Sequence, residues 1–462
     1  MIPYPNWLNP GDNAWQLIAA TLVGLMSIPG IAVLYGGLVQ RKWAVNTMLM
    51  AFSGFSLVLV VWVLWGYRMG FGEPWIGTVV GKPHPILSPG AEQGQAHIPL
   101  LDGAMPAFRF PQSTLAYFQF VFAAITPLLF LGSVVGRMSF RAWLLFVPLW
   151  STLAYSVNAF LLWGGGWWAH KGALDYSGGY VIHLAAGTSG FVAAAVIGPR
   201  LARDRARAVP NNLPVVAVGA GLLWLGWNGF NGGDPYFAGA DAATAVLNTN
   251  LATAVAVLTW VIWDQIAGPQ RKPTLLGAVN GMITGLVAIT PAAGYVNGLG
   301  AILIGLIAST FVWLSWNKLA KLALFRRVDD ALGVFHTHGV AGLTGGLLVG
   351  LLADPKIVVY LNQDGSTAFS GAGAFYGHPK QLLWQAGAAG TVIVWDALVT
   401  FVILKVLSLF MRLRLPDEVL ETGDLGVHDE EAYPSEPLVT AGTTPAPATP
   451  AARPDVVTAE EP

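Results

Sequence analysis

The sequence predicts an all-α integral membrane protein of eleven transmembrane helices: an inverted five-helix repeat plus one extra helix, with the amino terminus outside and the carboxyl terminus inside. Three observations predict this fold: long apolar runs, basic residues that alternate between loops, and a polar motif that occurs twice. Charged residues form 11% of the chain and hydrophobic residues 54%, whereas soluble domains average roughly 25% charged. A chain with so much apolar surface is expected to lie in a lipid bilayer.

The apolar runs define the spans. A transmembrane helix needs about 20 mostly apolar residues, and eleven runs come within a few residues of that length. The 19 Trp and 55 Gly agree with this, because Trp collects at membrane interfaces and Gly lets membrane helices approach closely. The predicted spans are 15–38, 47–67, 114–135, 142–163, 178–198, 214–232, 243–266, 275–291, 298–317, 332–353 and 382–411.

The loops between these runs orient the chain, because basic loops remain in the cytoplasm. The basic set holds Arg41, Lys42, Arg137, Arg141, Arg200, Arg203, Arg205, Arg207, Arg271, Lys272, Lys318, Lys321, Arg326, Arg327, Arg412 and Arg414. The opposite set holds only Arg68, Lys82, Arg109, Lys171, Lys356 and Lys380. An outer amino terminus and an inner carboxyl terminus follow, and they require an odd number of spans.

The chain divides into three parts. Residues 1–415 form the predicted transmembrane domain. Residues 416–433 form a short acidic cytoplasmic stretch that is expected to become ordered by docking on the bundle. Residues 434–462 are rich in Pro, Thr and Ala and cannot bury enough apolar area to offset the entropy of ordering, so they are predicted to be disordered.

Several function classes are disfavoured. A net charge of −1 gives no basic surface for nucleic acid. The absence of Cys excludes disulfides, thiolate metal sites and cysteine nucleophiles. With no metal-ligand cluster, activated nucleophile or phosphate-binding loop, the sequence predicts neither an enzyme nor a cofactor or metal site.

One motif occurs twice. The segment Asp175–Gly190 reads DYSGGYVIHLAAGTSG and the segment Asp330–Gly345 reads DALGVFHTHGVAGLTG. In each, a His follows the Asp after eight residues, and small residues occupy positions three, four and seven after the His. According to the loop charges, the chain enters the membrane from outside at the first copy and from the cytoplasm at the second. The two copies are therefore predicted to have opposite orientations in the membrane, as in an inverted repeat.

The spacing places the two histidines near the middle of the membrane. At 1.5 Å per residue, His183 and His338 lie roughly 12 Å along their helices from Asp175 and Asp330, in a hydrocarbon core about 30 Å thick. They therefore approach the midplane from opposite sides, where polar groups are costly and usually mark a pathway. Either histidine taken alone is better explained as a hydrogen-bonded core residue, whereas the symmetric pair favours a pathway.

Two other polar residues within the spans need structural explanations. His336 is about 200° around the helix from His338, so it is predicted to face elsewhere and to have a structural role. Asp396 interrupts the eleventh span, where an unpaired charge is costly. It is expected to be protonated or hydrogen-bonded to a neighbouring polar side chain, with a role in proton movement as the alternative.

These motifs resemble those of the Amt/Mep/Rh ammonium transporter family, in its Amt branch. The run DYSGGYVIHLAAGTSGFVAAAVIGPR at 175–200 is similar to that family's signature. The FNGGDPY and VFHTHG segments resemble a branch other than the enteric bacterial one. Further similar segments are GDNAW, PGIAVLYGGLV, WVLWGY, WGGG, NLP, GWNGFNGG, TPAAGY and VDD.

The resemblance implies roles for particular residues. It implies that Trp163 belongs to an external ammonium site and that Phe118 and Phe230 form a stacked phenyl gate beneath it. His183 and His338 correspond to the twin pore histidines, Asp175 to an organising acid and Trp227 to a pore-lining residue. Three positions depart from the family pattern: Asp234 in place of Ser at the outer site, Gly136 in place of Glu, and Gly333 in place of Asp.

The implied activity agrees with the chemistry of the substrate. Alkylammonium groups titrate near ~10.4, so ammonium reaches the membrane as a cation. Aromatic residues attract it, and a narrow apolar pore with a histidine pair passes ammonia while the imidazoles hold or relay the proton. The resemblance also implies a homotrimer in the cell membrane that takes up nitrogen, and a PII-type regulatory partner. An ammonium sensor and a neutral Rh-type gas channel remain alternatives.

Overall fold

The protein is a helical bundle. The computed structural model describes residues 5–434, apart from 104, 358 and 362–366. The predicted disordered segment therefore lies, except for residue 434, outside the described residues. The bundle helices are α1 Pro10–Leu38, α2 Arg41–Phe71, α3 Gln112–Val134, α4 Phe140–Lys171, α5 Gly179–Ile197, α6 Leu213–Gly232, α7 Ala240–Ala267, α8 Leu275–Ile289, α9 Gly298–Lys321, α10 Phe335–Leu352 and α11 Lys380–Ser408.

Ten of these helices, among the described residues, are long and apolar enough to cross a membrane. The other, α8, has 15 helical residues and is apolar, but it is short for a span. It packs between α7 and α9, and the chain continues from its end in turns through 290–295. The protein is thus a multi-pass membrane protein, while the count of eleven spans and the orientation of the termini stay predictions.

The connections contain little regular structure. Two antiparallel hairpins lie between α2 and α3 (β1 Pro74–Ile76 with β2 Val80–Gly81) and between α10 and α11 (β3 Val359–Leu361 with β4 Thr367–Ser370). Short helices occupy Pro89–Gln93, Ala202–Ala206 and Ala323–Arg326.

The centre of the bundle is α3. Its residues are apolar around the whole circumference, and almost all of them are buried. An all-round apolar helix is stable only when neighbours cover every face, and α3 is covered by α1, α2 and α5. This position brings its aromatic residues next to the motif-bearing helix α5.

The acidic stretch near the carboxyl end lies against the bundle as two short helices, α12 Asp417–Thr422 and α13 Asp424–His428. The Asp424 carboxylate accepts hydrogen bonds from the backbone N–H of Val45 at 2.8 Å and of Asn46 at 2.9 Å, at the start of the α-helical part of α2. The Lys42 ammonium donates to the Leu420 carbonyl at 2.8 Å. We call this end of the bundle the tail side.

His336 and Asp396 each have a polar contact, which was predicted only for Asp396. A His336 ring nitrogen lies 2.8 Å from the Ser315 hydroxyl, so this ring is held away from His338. The Asn158 amide donates to a carboxylate oxygen of Asp396 at 2.8 Å. Asp396 is therefore hydrogen-bonded, as expected of a fully buried polar side chain in a membrane helix.

A partly buried ion pair joins two tail-side loops. The Arg200 guanidinium donates to both carboxylate oxygens of Asp329, at 2.9 and 2.8 Å, and the Arg137 guanidinium donates to the Asp329 carbonyl. Burial alone would raise the pKa of Asp329, but the hydrogen bonds and charge of Arg200 hold it below its ordinary value. Because a carboxyl with a lowered pKa stabilises the fold only while ionised, this contribution is present above about pH 4 and is lost as the pH falls through the lower folded value.

Replacing Asp329 by Ala should therefore lower the thermal unfolding temperature of the purified protein in detergent. Removing one partner of a fully buried pair typically costs about 3 kcal/mol or more, because the other charge is left unpaired. For this partly buried pair we expect a cost between that value and the cost for an exposed pair. The matched control is Asp417→Ala, which removes the partner of Arg414 in a 2.7 Å pair where Asp417 is 65% exposed. An exposed pair contributes less than about 1 kcal/mol. Equal shifts in the two variants at pH 7 would contradict the assignment.

Candidate functional site

The two copies of the motif start in the same way. The Asp175 carboxylate accepts hydrogen bonds from the backbone N–H of Gly178, Tyr180 and Val181, at 3.0 to 3.2 Å. The Asp330 carboxylate likewise accepts from Val334 and Phe335, at 3.2 and 2.8 Å. Each acid thus satisfies backbone donors at a helix start, where no intrahelical acceptors exist.

Both helices begin as π-helical turns, and each turn carries a motif histidine. The turns are Gly179–Leu184 in α5 and Phe335–Val340 in α10. The glycine at Asp+3 precedes each helix with a positive φ, +106° at Gly178 and +73° at Gly333, a conformation that other residues adopt at a cost. The predicted repeat is therefore matched in local geometry as well as in sequence.

Glycines let the two helices cross in backbone contact. A Cβ atom added to Gly187 of α5 would overlap the backbone of Gly339 in α10. A Cβ on Gly342 would lie 2.5 Å from the carbonyl oxygen of Gly179. Such close approach is typical of small residues at membrane helix interfaces, and it brings the two π-helical turns together.

The histidines meet at this crossing. Nδ1 of His183 lies 3.3 Å from Nδ1 of His338, with ring centroids 5.3 Å apart and ring planes 24° from parallel. His183 is fully buried, and its Nε2 has no partner among the described residues. With both facing nitrogens in contact, one ring donates and the other accepts.

Aromatic rings extend from the histidine pair. The His183 ring stacks on Trp227 at 5.3 Å and also faces Phe230 at 5.9 Å. The Trp227 indole N–H donates to the Thr290 hydroxyl at 2.9 Å, which fixes the indole plane. The walls on this side of the pair are therefore apolar apart from the imidazole nitrogens.

The phenyl pair differs from the expectation. The ring that faces Phe230 is Phe122, with centroids 4.4 Å apart, and not Phe118. Phe118 lies one helical turn earlier on α3, where its ring contacts Phe122 at 4.8 Å and Tyr236 at 6.1 Å. The expectation of a Phe118–Phe230 stack is corrected: residues i and i+4 share a helix face, and the later of the two reaches the depth of Phe230.

Trp163 lies at the outer edge of this aromatic series. Its ring makes an edge-to-face contact with Phe122 at 6.2 Å, and its indole N–H donates to the Asp175 carbonyl at 2.7 Å. Trp163 is only partly buried. Asp175 therefore positions Trp163 through its backbone while its carboxylate is used in capping α5.

Asp234 differs from Asp175 in its bonding. One carboxylate oxygen, Oδ2, is buried and has no hydrogen-bond partner among the described residues. Burial raises the pKa of Asp234 well above its ordinary value, although a bond to Ser177 opposes the shift, and the charge of Asp175 adds to it. Burial also raises the pKa of Asp175 to about 6, against the lowering effect of its backbone hydrogen bonds. Of the two acids, Asp234 has an oxygen available for a ligand.

In the part of the chain that the structure describes, no group of three or more His, Asp or Glu residues could hold a metal ion. The site described above consists of contacting aromatic rings and one histidine pair. A family model described as the Ammonium Transporter Family matches residues 14–433.

The chain belongs to the ammonium transporter family.

Individual relatives agree with the family match. The chain is 50% identical over 441 residues to "Ammonium transporter 3 member 2" of Oryza sativa subsp. japonica, covering 93% of this chain and 90% of the relative. It is 49% identical over 432 residues to "Ammonium transporter 2" of Arabidopsis thaliana, with 93% and 89% coverage. The crystal structure of Saccharomyces cerevisiae Mep2 superposes with a TM-score of 0.77 at 29% identity, covering 89% of each chain. These relatives are transporters and not enzymes.

The ammonium transporter site was incompletely predicted from sequence. Phe122 was missed, although its spacing of one helical turn after Phe118 is visible in the sequence. The structure gathers Trp163, Phe118, Phe230, Trp227, His183 and His338 along one series of ring contacts. Asp175 lies beside that series as a helix cap.

Replacing Gly187 by Ala should separate α5 from α10, because the new methyl group meets backbone, which cannot move aside as a side chain can. We expect a lower folded yield and a lower unfolding temperature in detergent. The matched control is Gly221→Ala in α6, where an added Cβ meets nothing within 4 Å. That change should be neutral or stabilise by up to about 1 kcal/mol. Similar behaviour of the two variants would argue against the backbone contact.

Proposed function

We propose that this ammonium transporter recruits ammonium at Trp163, deprotonates it and conducts ammonia, with or without the proton, past the histidine pair. The observation that carries the proposal is the 3.3 Å contact between His183 and His338, buried where the apolar ring series ends. Paired imidazoles in a membrane interior are costly to keep unless they act on the transported species.

Recruitment is assigned to the outer aromatic groups. A cation over the face of an aromatic ring is attracted by roughly 0.5 to 2 kcal/mol, more where water is excluded. The partial exposure of Trp163 lets a hydrated ion reach it, and the Phe122–Phe230 pair at 4.4 Å lies next on the path inward. Potassium is drawn to the same rings, so the aromatic groups concentrate cations and discrimination occurs deeper.

Discrimination is assigned to the histidines. Ammonium can lose a proton and donate hydrogen bonds, whereas potassium can do neither. Two positive charges on adjacent imidazoles would repel strongly at low dielectric, so the pair is neutral or singly protonated. It can therefore accept one proton and pass it on in single file, while a bare metal cation finds no replacement for its water.

The two outer acids have different proposed roles. The Asp175 carboxylate is occupied by backbone N–H groups, so we assign it to organising the site. The unpartnered oxygen of Asp234 supports direct contact with ammonium, at the position where the family often has Ser. Because ammonium favours the ionised carboxylate, binding should weaken as the pH falls below the raised pKa of Asp234.

The wider setting completes the proposal. We place the protein in the cell membrane as a homotrimer with one pore per subunit, taking up nitrogen, with 416–433 as a cytoplasmic regulatory stretch. The docking of Asp424 on Val45 and Asn46 supports a coupling between that stretch and α2. A PII-type regulatory protein is a proposed partner on the same face. A sensor would bind ammonium without conducting it, and a neutral Rh-type channel would pass ammonia without current.

Replacing both His183 and His338 by Leu should preserve folding but abolish ammonium-evoked current and potassium exclusion, since the proton carrier is gone. Current is measured on purified protein in liposomes after an ammonium jump, with potassium as the competing cation. Folding is checked by thermal unfolding. If the double variant kept both current and selectivity at the parent level, the pair would serve only packing.

Replacing Asp234 by Asn should raise the half-saturating ammonium concentration roughly tenfold, because a charge-assisted hydrogen bond is lost. It should also remove the weakening of apparent affinity at lower pH. The measurement is the rate of ¹⁵N-ammonium uptake into vesicles as a function of concentration and pH. The comparison variant Asp175→Asn should instead reduce folded yield. An unaltered half-saturation and pH profile in Asp234→Asn would place Asp234 outside the binding site.

A further inference from the structure

The tail side of the bundle contains a second aromatic site. A cavity of 460 Å³ opens there, lined by three indole rings, Trp43, Trp260 and Trp316, and by the carboxylate of Asp264. The rings of Trp260 and Trp316 meet edge to face, with centroids 6.5 Å apart. Leu332, two residues after the capping acid Asp330, also lines the cavity. The cavity therefore lies beside the start of α10, the helix that carries His338.

The inverted repeat relates this cavity to the outer site. Trp163 lies against Gly178, the glycine at Asp+3 of the first motif: a Cβ there would be 3.1 Å from the indole. Trp316 lies against Gly333, the glycine at Asp+3 of the second motif, and its ring fills the space that a Cβ there would need. In each motif, a tryptophan therefore packs against the glycine three residues after the capping Asp. The departure of Gly333 from the family's Asp is what makes room for Trp316.

Among the charged residues that line the cavity, two have no salt bridge in the part of the chain that the structure describes: the acid Asp264 and the base Lys272. Arg200 is paired with Asp329, and Asp204 is paired with Lys42 at 3.0 Å. Asp264 has no salt bridge among the described residues and accepts only the Trp313 indole N–H at 2.8 Å. A carboxylate beside two indoles is the chemistry that binds a small cation.

The cavity also has an unsatisfied donor. The indole nitrogen of Trp43 is buried and has no hydrogen-bond partner among the described residues. A buried N–H normally bonds to protein or to ordered water, and this cavity has room for water. A cation that kept part of its water in this cavity would supply an acceptor for the Trp43 N–H.

We infer that Trp260, Trp316 and Asp264 form an ammonium-binding site at the tail-side mouth of the pore. Ammonia that emerges past His338 takes up a proton there, either the one passed on by the histidine pair or one from water, which leaves hydroxide. The ammonium ion is then held by ring faces and by the Asp264 carboxylate before it leaves. The same site loads ammonium when the gradient is reversed. The inference rests on the proposed function, because it takes ammonium as the conducted species.

The test is the sidedness of transport. Uptake of ¹⁵N-ammonium is measured in sealed right-side-out and inside-out vesicles that carry the full chain, so that ammonium meets either face first. Asp264→Asn and Trp316→Leu should each raise the half-saturating concentration for entry from the tail side, by roughly 3- to 10-fold. Entry from the opposite side should keep the parent value. Trp316→Phe, which retains a ring face, should recover most of the tail-side affinity.

Controls separate binding from packing. Trp395→Leu removes an indole whose N–H bonds to the Leu153 carbonyl away from the cavity, and it should change neither face. Asp264→Asn keeps the acceptor for Trp313, so it tests the charge even if Trp316→Leu folds poorly. The inference would be overturned if Asp264→Asn left the half-saturating ammonium concentration for tail-side entry unchanged, or changed it equally for both faces. In either case the parent protein would still transport ammonium. No uptake by the parent would overturn the proposed function itself.

Discussion

The backbone contact between α5 and α10 is the constraint on which the site depends. Gly187 against Gly339 and Gly342 against Gly179 bring the helices so close that no Cβ fits between them. Only at that separation do Nδ1 of His183 and Nδ1 of His338 come within 3.3 Å. The geometry of the histidine pair is thus set by glycines, which have no side chain.

The crossing needs both helices to start at the correct depth, and the capping acids set that depth. Asp175 and Asp330 each take up backbone donors at a π-helical turn, which would otherwise be unsatisfied in a membrane. The same requirement explains the other polar contacts in the bundle. Asn158 bonds to Asp396, Ser315 to His336 and Trp227 to Thr290. In lipid, a buried polar group is costly unless it has a partner within the protein, and these contacts also fix the rotation of the helices.

The surroundings of the two motifs are similar at the cap and differ beyond it. Each motif has a tryptophan against the glycine of its capping turn, Trp163 at Gly178 and Trp316 at Gly333. Beside Trp163 the rings of Phe118, Phe122 and Phe230 are in contact, whereas Trp316 lines a tail-side cavity of 460 Å³. The sequence repeat does not single out Trp316, because the spacing from Trp to Asp differs between the two copies. Trp316 becomes a candidate only when the comparison is extended to residues before Asp330.

The sequence by itself determined the membrane class, the positions of most spans, and the pair of motifs, since apolar length and an eight-residue spacing are local properties that need no neighbours. It also predicted that His336 faces away from His338 and that Asp396 is protonated or hydrogen-bonded. The tertiary structure decided which partners they found, Ser315 and Asn158, because those residues lie far away in the chain. It likewise decided that Phe122, one turn deeper than Phe118, meets Phe230. The position of a side chain along its helix decides which residue it contacts only after two helices have packed. The final pairing of side chains therefore depends on how closely the glycines let the helices approach.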